Sequence, residues 1–273
     1  MGFDIRVITA PGEVPLPHHH VMRLAEYWKE DGHHVTVGPA RQTSGDIGIL
    51  HVDRTRVPEE AVPENPSGIP LLNGRVLDIS KRVVSRNLVL PGDGYRGPVI
   101  IKTNANYFGA LEIEARNRRR SRLRRRLEDA LPWRFTRKLP RASYPVLESP
   151  EHVPSWVWTD AVYVVERFLP EIIDGHYVLR MWIFFGREEY ALLLYGREPV
   201  VKASTIVKKE DLPTVPDSLR AERERLGFDF GKFDYVEHGG EAILLDANKT
   251  PTVLKQRSDN LRKLADGLSG FLG

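Results

Sequence analysis

The run Leu244-Leu245-Asp246-Ala247-Asn248-Lys249-Thr250-Pro251, taken with Gly231-Lys232-Phe233-Asp234-Tyr235 just upstream, decides how this 273-residue chain is read. Two short apolar runs, Phe233 to Val236 and Ala242 to Leu245, flank Glu237-His238-Gly239-Gly240, a hairpin-turn signal. Side chains two apart on a strand share a face. Asp246 and Asn248 therefore project together, and the hairpin brings Asp234 beside them. Two carboxylates and an amide oxygen at a sheet end suit Mg2+, a hard cation that takes oxygen ligands and is commonly shared with substrate phosphates. Asp234, Asp246 and Asn248 are the candidate metal ligands, and Lys249 is expected to face solvent. A single acid at a strand end is more commonly an exposed turn residue; an ordered set closing on Asn-Lys-Thr-Pro is much rarer.

Three further stretches follow the same plan of an apolar strand interrupted or closed by charge. They are Val99-Ile100-Ile101-Lys102, Val162-Tyr163-Val164-Val165-Glu166-Arg167-Phe168-Leu169, and Tyr177 to Phe185 with Arg180 inside it. Taken in order with the terminal hairpin, they resemble the ATP-grasp superfamily over roughly residues 75–260, in particular carboxylate–amine ligases of the ribosomal-protein glutamate ligase type. The resemblance implies an α+β (mixed α/β) fold with an N-terminal α/β lobe and two α+β subdomains clasping the nucleotide. It implies ATP and Mg2+ as cofactors, with Lys102 and Lys81 on the phosphates, Glu166 and backbone near Phe168 on the adenine edge, and Glu171 or Asp174 on the ribose. Arg180 and Lys202 are the implied catalytic residues at the transferring phosphoryl group. Asp246 stands where relatives often have Glu, one methylene longer.

Composition bounds the function classes. Charged residues are 28% and hydrophobic residues 41%, ordinary globular values. There is no cysteine, which excludes disulfides, thiolate metal sites and cysteine nucleophiles. The chain has no 18-residue apolar run and no secretory leader pattern at Met-Gly-Phe-Asp-Ile-Arg, so a soluble cytoplasmic protein is expected. Net charge is +3, yet residues 116–126 hold eight arginines and no acid, leaving the rest of the chain at about −5.

Phe3 to Thr9 reads as a strand, Val21, Leu24, Ala25 and Trp28 as a helix stopped by Gly32, and Val35–Val37 and Ile47–Val52 as strands. No Gly-x-Gly-x-x-Gly follows the first strand, so a dinucleotide site is not supported. A linker with Pro58, Pro63, Pro66 and Pro70 follows, then a short helix over Asp78 to Leu90. The arginine segment carries Leu123, Leu127 and Leu131 on one helical stripe and ends at Pro132. Strands then dominate, with helices at Asp217–Leu226 and Asn260–Phe271. The expected division is 1–75 for the N-terminal lobe, 76–158 for a first subdomain with an Arg-rich helix at 116–131, and 159–273 for a second with the metal site.

Phosphoryl transfer needs positive charge, metal and in-line positioning rather than a protein nucleophile. No Ser-His or Cys-His pairing is seen. A mid-strand arginine such as Arg180 must find anions or reach water. The leading expectation is a ligase that activates a carboxylate as its acyl phosphate and transfers it to an amine, on small-molecule substrates of anionic or peptidic character. A small-molecule kinase on the same scaffold, with His176 or His238 as base, and a nucleotide-binding protein docking through the arginine helix stay open. Three consecutive histidines, His18 to His20, cannot all face one ion, and the arginine run lacks interleaved aromatics, so neither a metal site there nor nucleic-acid binding is expected.

Overall fold

Alternating apolar residues at Asp4–Ile8 (β1), His34–Gly38 (β2), Ile47–Leu50 (β3) and Leu71–Leu72 (β4) form a parallel sheet in the order β2-β1-β3-β4. The computed structural model describes residues 2–106, 132–136, 138–140, 144–252 and 258–272; the expected arginine helix over 116–131 lies outside the described residues. Helix α1 (His20–Glu30) crosses this sheet with Val21, Leu24, Ala25 and Trp28 buried, the stripe its spacing predicts. It ends at Asp31, and Gly32 follows at φ 84°, a left-handed conformation that glycine adopts without strain.

Only one turn, α2 (Lys81–Val84), stands where a helix over Asp78 to Leu90 was expected. Beyond Ser85 the chain is extended and lies along a later strand: Val89 N–H donates to Val165 O, and Asn87 Nδ2 donates to Arg167 O. Sheet pairing outweighs the weak helical preference of this Val- and Asn-containing segment.

A second, antiparallel sheet has the order β6-β5-β7, from Val99–Thr103 (β5), Val146–Leu147 (β6) and Tyr163–Arg167 (β7). Short helices α3 (Trp133–Thr136) and α4 (Ser155–Thr159) lie before β6 and β7. Pairing of β7 with β5 carries this sheet past residue 158, so the expected division between subdomains cuts through it.

The third sheet is antiparallel, in the order β11-β10-β9-β12-β13 with β8 added on β9. Its strands are Glu171–Ile173 (β8), His176–Phe185 (β9), Glu188–Gly196 (β10), Ile206–Leu212 (β11), Phe230–His238 (β12) and Glu241–Asn248 (β13). Helix α5 (Asp217–Leu226) precedes β12; α6 (Ser258–Asp266) and a 3-10 turn at Gly267–Phe271 close the chain. The β12–β13 turn is tighter than expected, since Glu237 and His238 belong to β12 and only Gly239 and Gly240 turn, both at positive φ.

Both faces of the third sheet are buried. Trp182, Phe184, Phe233 and Tyr235 pack on one side with Val76, Ile79 and Leu219. Met181, Ile183, Phe185 and Phe230 pack on the other with Leu24 and Trp28 of α1 and Leu261 and Leu264 of α6. Trp28 Nε1 donates to Ala265 O at 3.0 Å, which satisfies the one polar atom of a fully buried ring. The second sheet has its own apolar cluster, including Val99, Ile101, Val157, Tyr163 and Val165. No helix among the described residues is long and apolar enough to cross a membrane.

Candidate functional site

Where the three sheets meet, a cavity of about 640 Å3 opens. The β12–β13 hairpin supplies its charged floor. Asp234 stands directly opposite Asp246, and Lys232 opposite Asn248, so the four side chains form a rectangle on one face. The register then shifts between Asp234 and Tyr235, leaving Leu245 as an extra residue. This bulge turns Leu245 and Asp246 toward the cavity together, while Leu244 and Ala247 point into the core.

Each aspartate has its own lysine. Lys232 Nζ donates to Asp234 Oδ2 at 2.7 Å, and Lys81 Nζ donates to Asp246 Oδ1. Burial raises the Asp234 pKa; Lys232 offsets this in part and the neighbouring Asp246 charge adds to it. Burial also opposes ionisation of Asp246, but Lys81, with Lys232 and Lys102, holds that carboxyl below the usual range. Lys81 is buried, which would lower its pKa, yet Asp246 keeps it above the ordinary lysine value. Across the cavity, Lys102 on β5 pairs with Glu166 of β7 at 2.6 Å. Lys102 and Asp246 thus line one cleft, together with Lys81, Lys202, Phe168 and Asn248.

A divalent cation fits part of this floor. Asp234 Oδ1 is buried without a hydrogen-bond partner, the signature of an oxygen that accepts something else. Asn248 Oδ1 is less free, since it accepts from Thr250 N–H at 2.8 Å, with Thr250 Oγ1, whose proton goes to Asp53, 3.2 Å away. No cluster of three or more His, Asp or Glu side chains suited to a metal occurs among the described residues; the expected set has two carboxylates and an amide.

Several expected site residues are placed otherwise. Arg180 registers against Tyr235, one position along β9 from the Met181–Asp234 pair, and so projects from the face opposite the cavity. Its guanidinium is held by Glu171, with Nε and Nη2 contacts of 2.8–3.1 Å, and by Glu237 at 3.0 Å. Glu171 touches the cavity wall, but its carboxylate is committed to Arg180 and to Glu237 N–H. Asp174 occupies the exposed β8–β9 turn at φ 49° and is not among the cavity-lining residues. Glu166 is 1% exposed and lies beneath Lys102 rather than facing the cavity. Phe168 and the following Leu169 and Pro170 line the wall, with the Phe168 N–H spent on Pro98 O. Lys202 lies on the β10–β11 connection, which Thr205 closes by accepting from Lys202 N–H.

Lys249, expected in solvent, is 1% exposed, with Nζ donating to Val76 O at 3.3 Å. Burial lowers its pKa to about 8 against the pull of Asp78, Glu13 and Asp53. Lys232 was not among the expected residues; its position two before Asp234 on a strand was the available signal. The N-terminal lobe adds His18, His19, Asp53, Arg54 and Thr55 to the lining.

No protein-family model matches the chain, and no curated protein matches it. Solved structures do. The ATP-grasp ligase PsnB complexed with a minimal precursor aligns over all of both chains at 12% identity and a TM-score of 0.50. The same ligase with minimal precursor, Mg and ADP aligns over 98% of this chain and 97% of that one, again at 12% identity and 0.50. A RimK-domain ATP-grasp protein from Sphaerobacter thermophilus covers 98% of this chain and 99% of its own at 13% identity and 0.49. At these identities the likeness is one of architecture: this chain has the ATP-grasp fold, of α+β class.

Proposed function

Starting from an ATP-grasp fold, we propose that the cavity binds ATP with Mg2+ and that the protein is an ADP-forming ligase joining a carboxylate to an amine through an acyl phosphate. The observation that carries this reading is the convergence of Lys81, Lys102 and Lys232 with Asp234 and Asp246 on one cavity. Such a floor answers the main demand of phosphoryl transfer, charge neutralisation around a triphosphate. Asp234 and Asp246, supplemented by Asn248, would hold Mg2+, which when bound supplies further positive charge at the phosphoryl oxygens. The lysines bind and orient the phosphates, and Phe168, Leu169 and Pro170 offer an apolar wall to the base.

Arg180 takes no part in this reading, because Glu171 and Glu237 hold it on the far face. The ligase reading draws instead on the ligases that share the architecture. A kinase would need a base near the phosphate, and the two histidines expected for that role, His176 and His238, are both exposed and outside the lining. The test is a phosphate-release screen of carboxylate and amine pairs, small-molecule and peptidic, with mass spectrometry of the products. An amide product is expected. A phosphorylated product would replace the ligase with a kinase, and ATP binding without turnover would leave a nucleotide-binding interaction protein.

A further inference from the structure

At the N-terminal-lobe end of the cavity a histidine pair meets a carboxylate. His19 and His51 are both buried, with His19 Nδ1 and His51 Nε2 3.0 Å apart. The other nitrogen, His19 Nε2, faces Asp53 Oδ2 at 3.8 Å, beyond hydrogen-bond distance, and both residues line the cavity. Asp53 is fixed from behind. Thr250 Oγ1 donates to its Oδ1 at 2.7 Å, and its backbone N–H donates to Glu13. Its side chain is 51% exposed, so Oδ2 remains open to the cavity. Thr250 comes two residues after Asn248, which ties this end of the cavity to the metal floor through the chain.

Asp53 Oδ2 and His19 Nε2 thus face one gap. His51, wholly buried, stays neutral with its pKa lowered to about 3, and burial lowers that of His19 despite Asp53. A neutral His19 that donates from Nδ1 to His51 presents the Nε2 lone pair to the gap. The other charges nearby are Glu13, Arg54 and Lys249, with His18 beside His19.

Building on the ligase reading, we propose that Asp53 and His19 Nε2 seat the acceptor, and that the acceptor presents a primary ammonium group. Asp53 holds the cation, and His19 takes the first proton at Nε2, which frees the nitrogen lone pair. That pair forms the C–N bond to the acyl phosphate carbon as the C–O bond to phosphate breaks. The second proton leaves the nitrogen with the departing phosphate, and His19 returns its proton to solvent. Without Asp53 the amine is held weakly; without a base at residue 19 it stays protonated.

The test titrates methylammonium chloride into the full-length protein and follows imidazole 15N resonances, with potassium chloride as control. A saturable shift at His19 is expected, with at least tenfold weaker apparent affinity in Asp53→Asn and no comparable shift at the exposed His176. Absence of a saturable shift in the wild type, or unchanged affinity in Asp53→Asn, overturns the seat. The ligase reading is judged separately, by phosphate release. Methylammonium binding without turnover on any carboxylate–amine pair keeps the seat and removes the ligase. Amide formation with an unchanged amine KM in Asp53→Asn keeps the ligase and removes the seat. His19→Gln, which retains a polar side chain, is expected to lower kcat more than it raises the amine KM.

Discussion

Asp234 and Asp246 face each other across the β12–β13 ladder, yet each is bound by a different lysine and their pKa values move in opposite directions. Like charges so placed repel, and the pair persists because two ammonium groups are buried with it. Asp246, closer to the cluster of lysines, stays the stronger acid.

Replacement of Asp246 by alanine removes one of the two carboxylates and leaves buried Lys81 without its partner. Calorimetry with ATP and Mg2+ is expected to show at least a tenfold loss of affinity, about 1.4 kcal/mol. Equal affinities would remove Asp246 from the metal site.

Arg180→Met separates structure from binding. Glu171 is mostly buried, and removing its guanidinium partner strands a charge at a cost of about 3–5 kcal/mol. Urea unfolding is expected to show that loss, while ATP affinity stays within about twofold. A selective loss of ATP binding would put Arg180 back in the site.

Lys249 makes stability rise with alkali. Its folded pKa of about 8 lies below the ordinary 10.5, so between those values the unfolded chain binds the extra proton. Stability then increases with pH across this window, by an upper figure of about 3 kcal/mol from the shift alone. Lys249→Met is expected to be more stable than the wild type at pH 7 and to lose the alkaline rise. Urea midpoints from pH 7 to 10 check both.

Gly231 has no room for a methyl group. A Cβ there would lie 2.6 Å from the Phe228 ring and 2.9 Å from the Asn248 carbonyl oxygen. Gly231→Ala is expected to destabilise by about 1–3 kcal/mol. It also displaces the paired strand ends that carry Lys232 on β12 and Asn248 on β13, and is expected to weaken ATP–Mg2+ binding in the same calorimetric assay.

The hairpin was legible because Asp234, Asp246 and Asn248 interrupt short apolar runs, and a period of two then fixes which of them share a face. Arg180 defeated the same logic. Its strand is apolar on both sides of it from Val178 to Phe185, so the sequence holds no parity signal to say which face the arginine takes. Lys249 was misread for a different reason. Asn-Lys-Thr looks like a solvated strand end, but the chain from the N-terminal side passes over it and Val76 supplies a carbonyl. Long-range packing of that kind leaves no local trace. The same holds for His19 and Asp53, which lie 34 residues apart and meet only because β3 and the start of α1 end side by side.

Core continuity divides this molecule differently from chain order. One apolar cluster runs without a break from β1 and β3 through α1 and α6 to β9, β10 and β12, while the β6-β5-β7 sheet is cored separately. The first and last helices therefore share one core, packed on the sheet that carries both aspartates. Lys102 belongs to the separately cored sheet, as do Ile100 and the Phe168–Pro170 wall that follows β7. The charged floor and the apolar wall of the cleft thus rest on different cores.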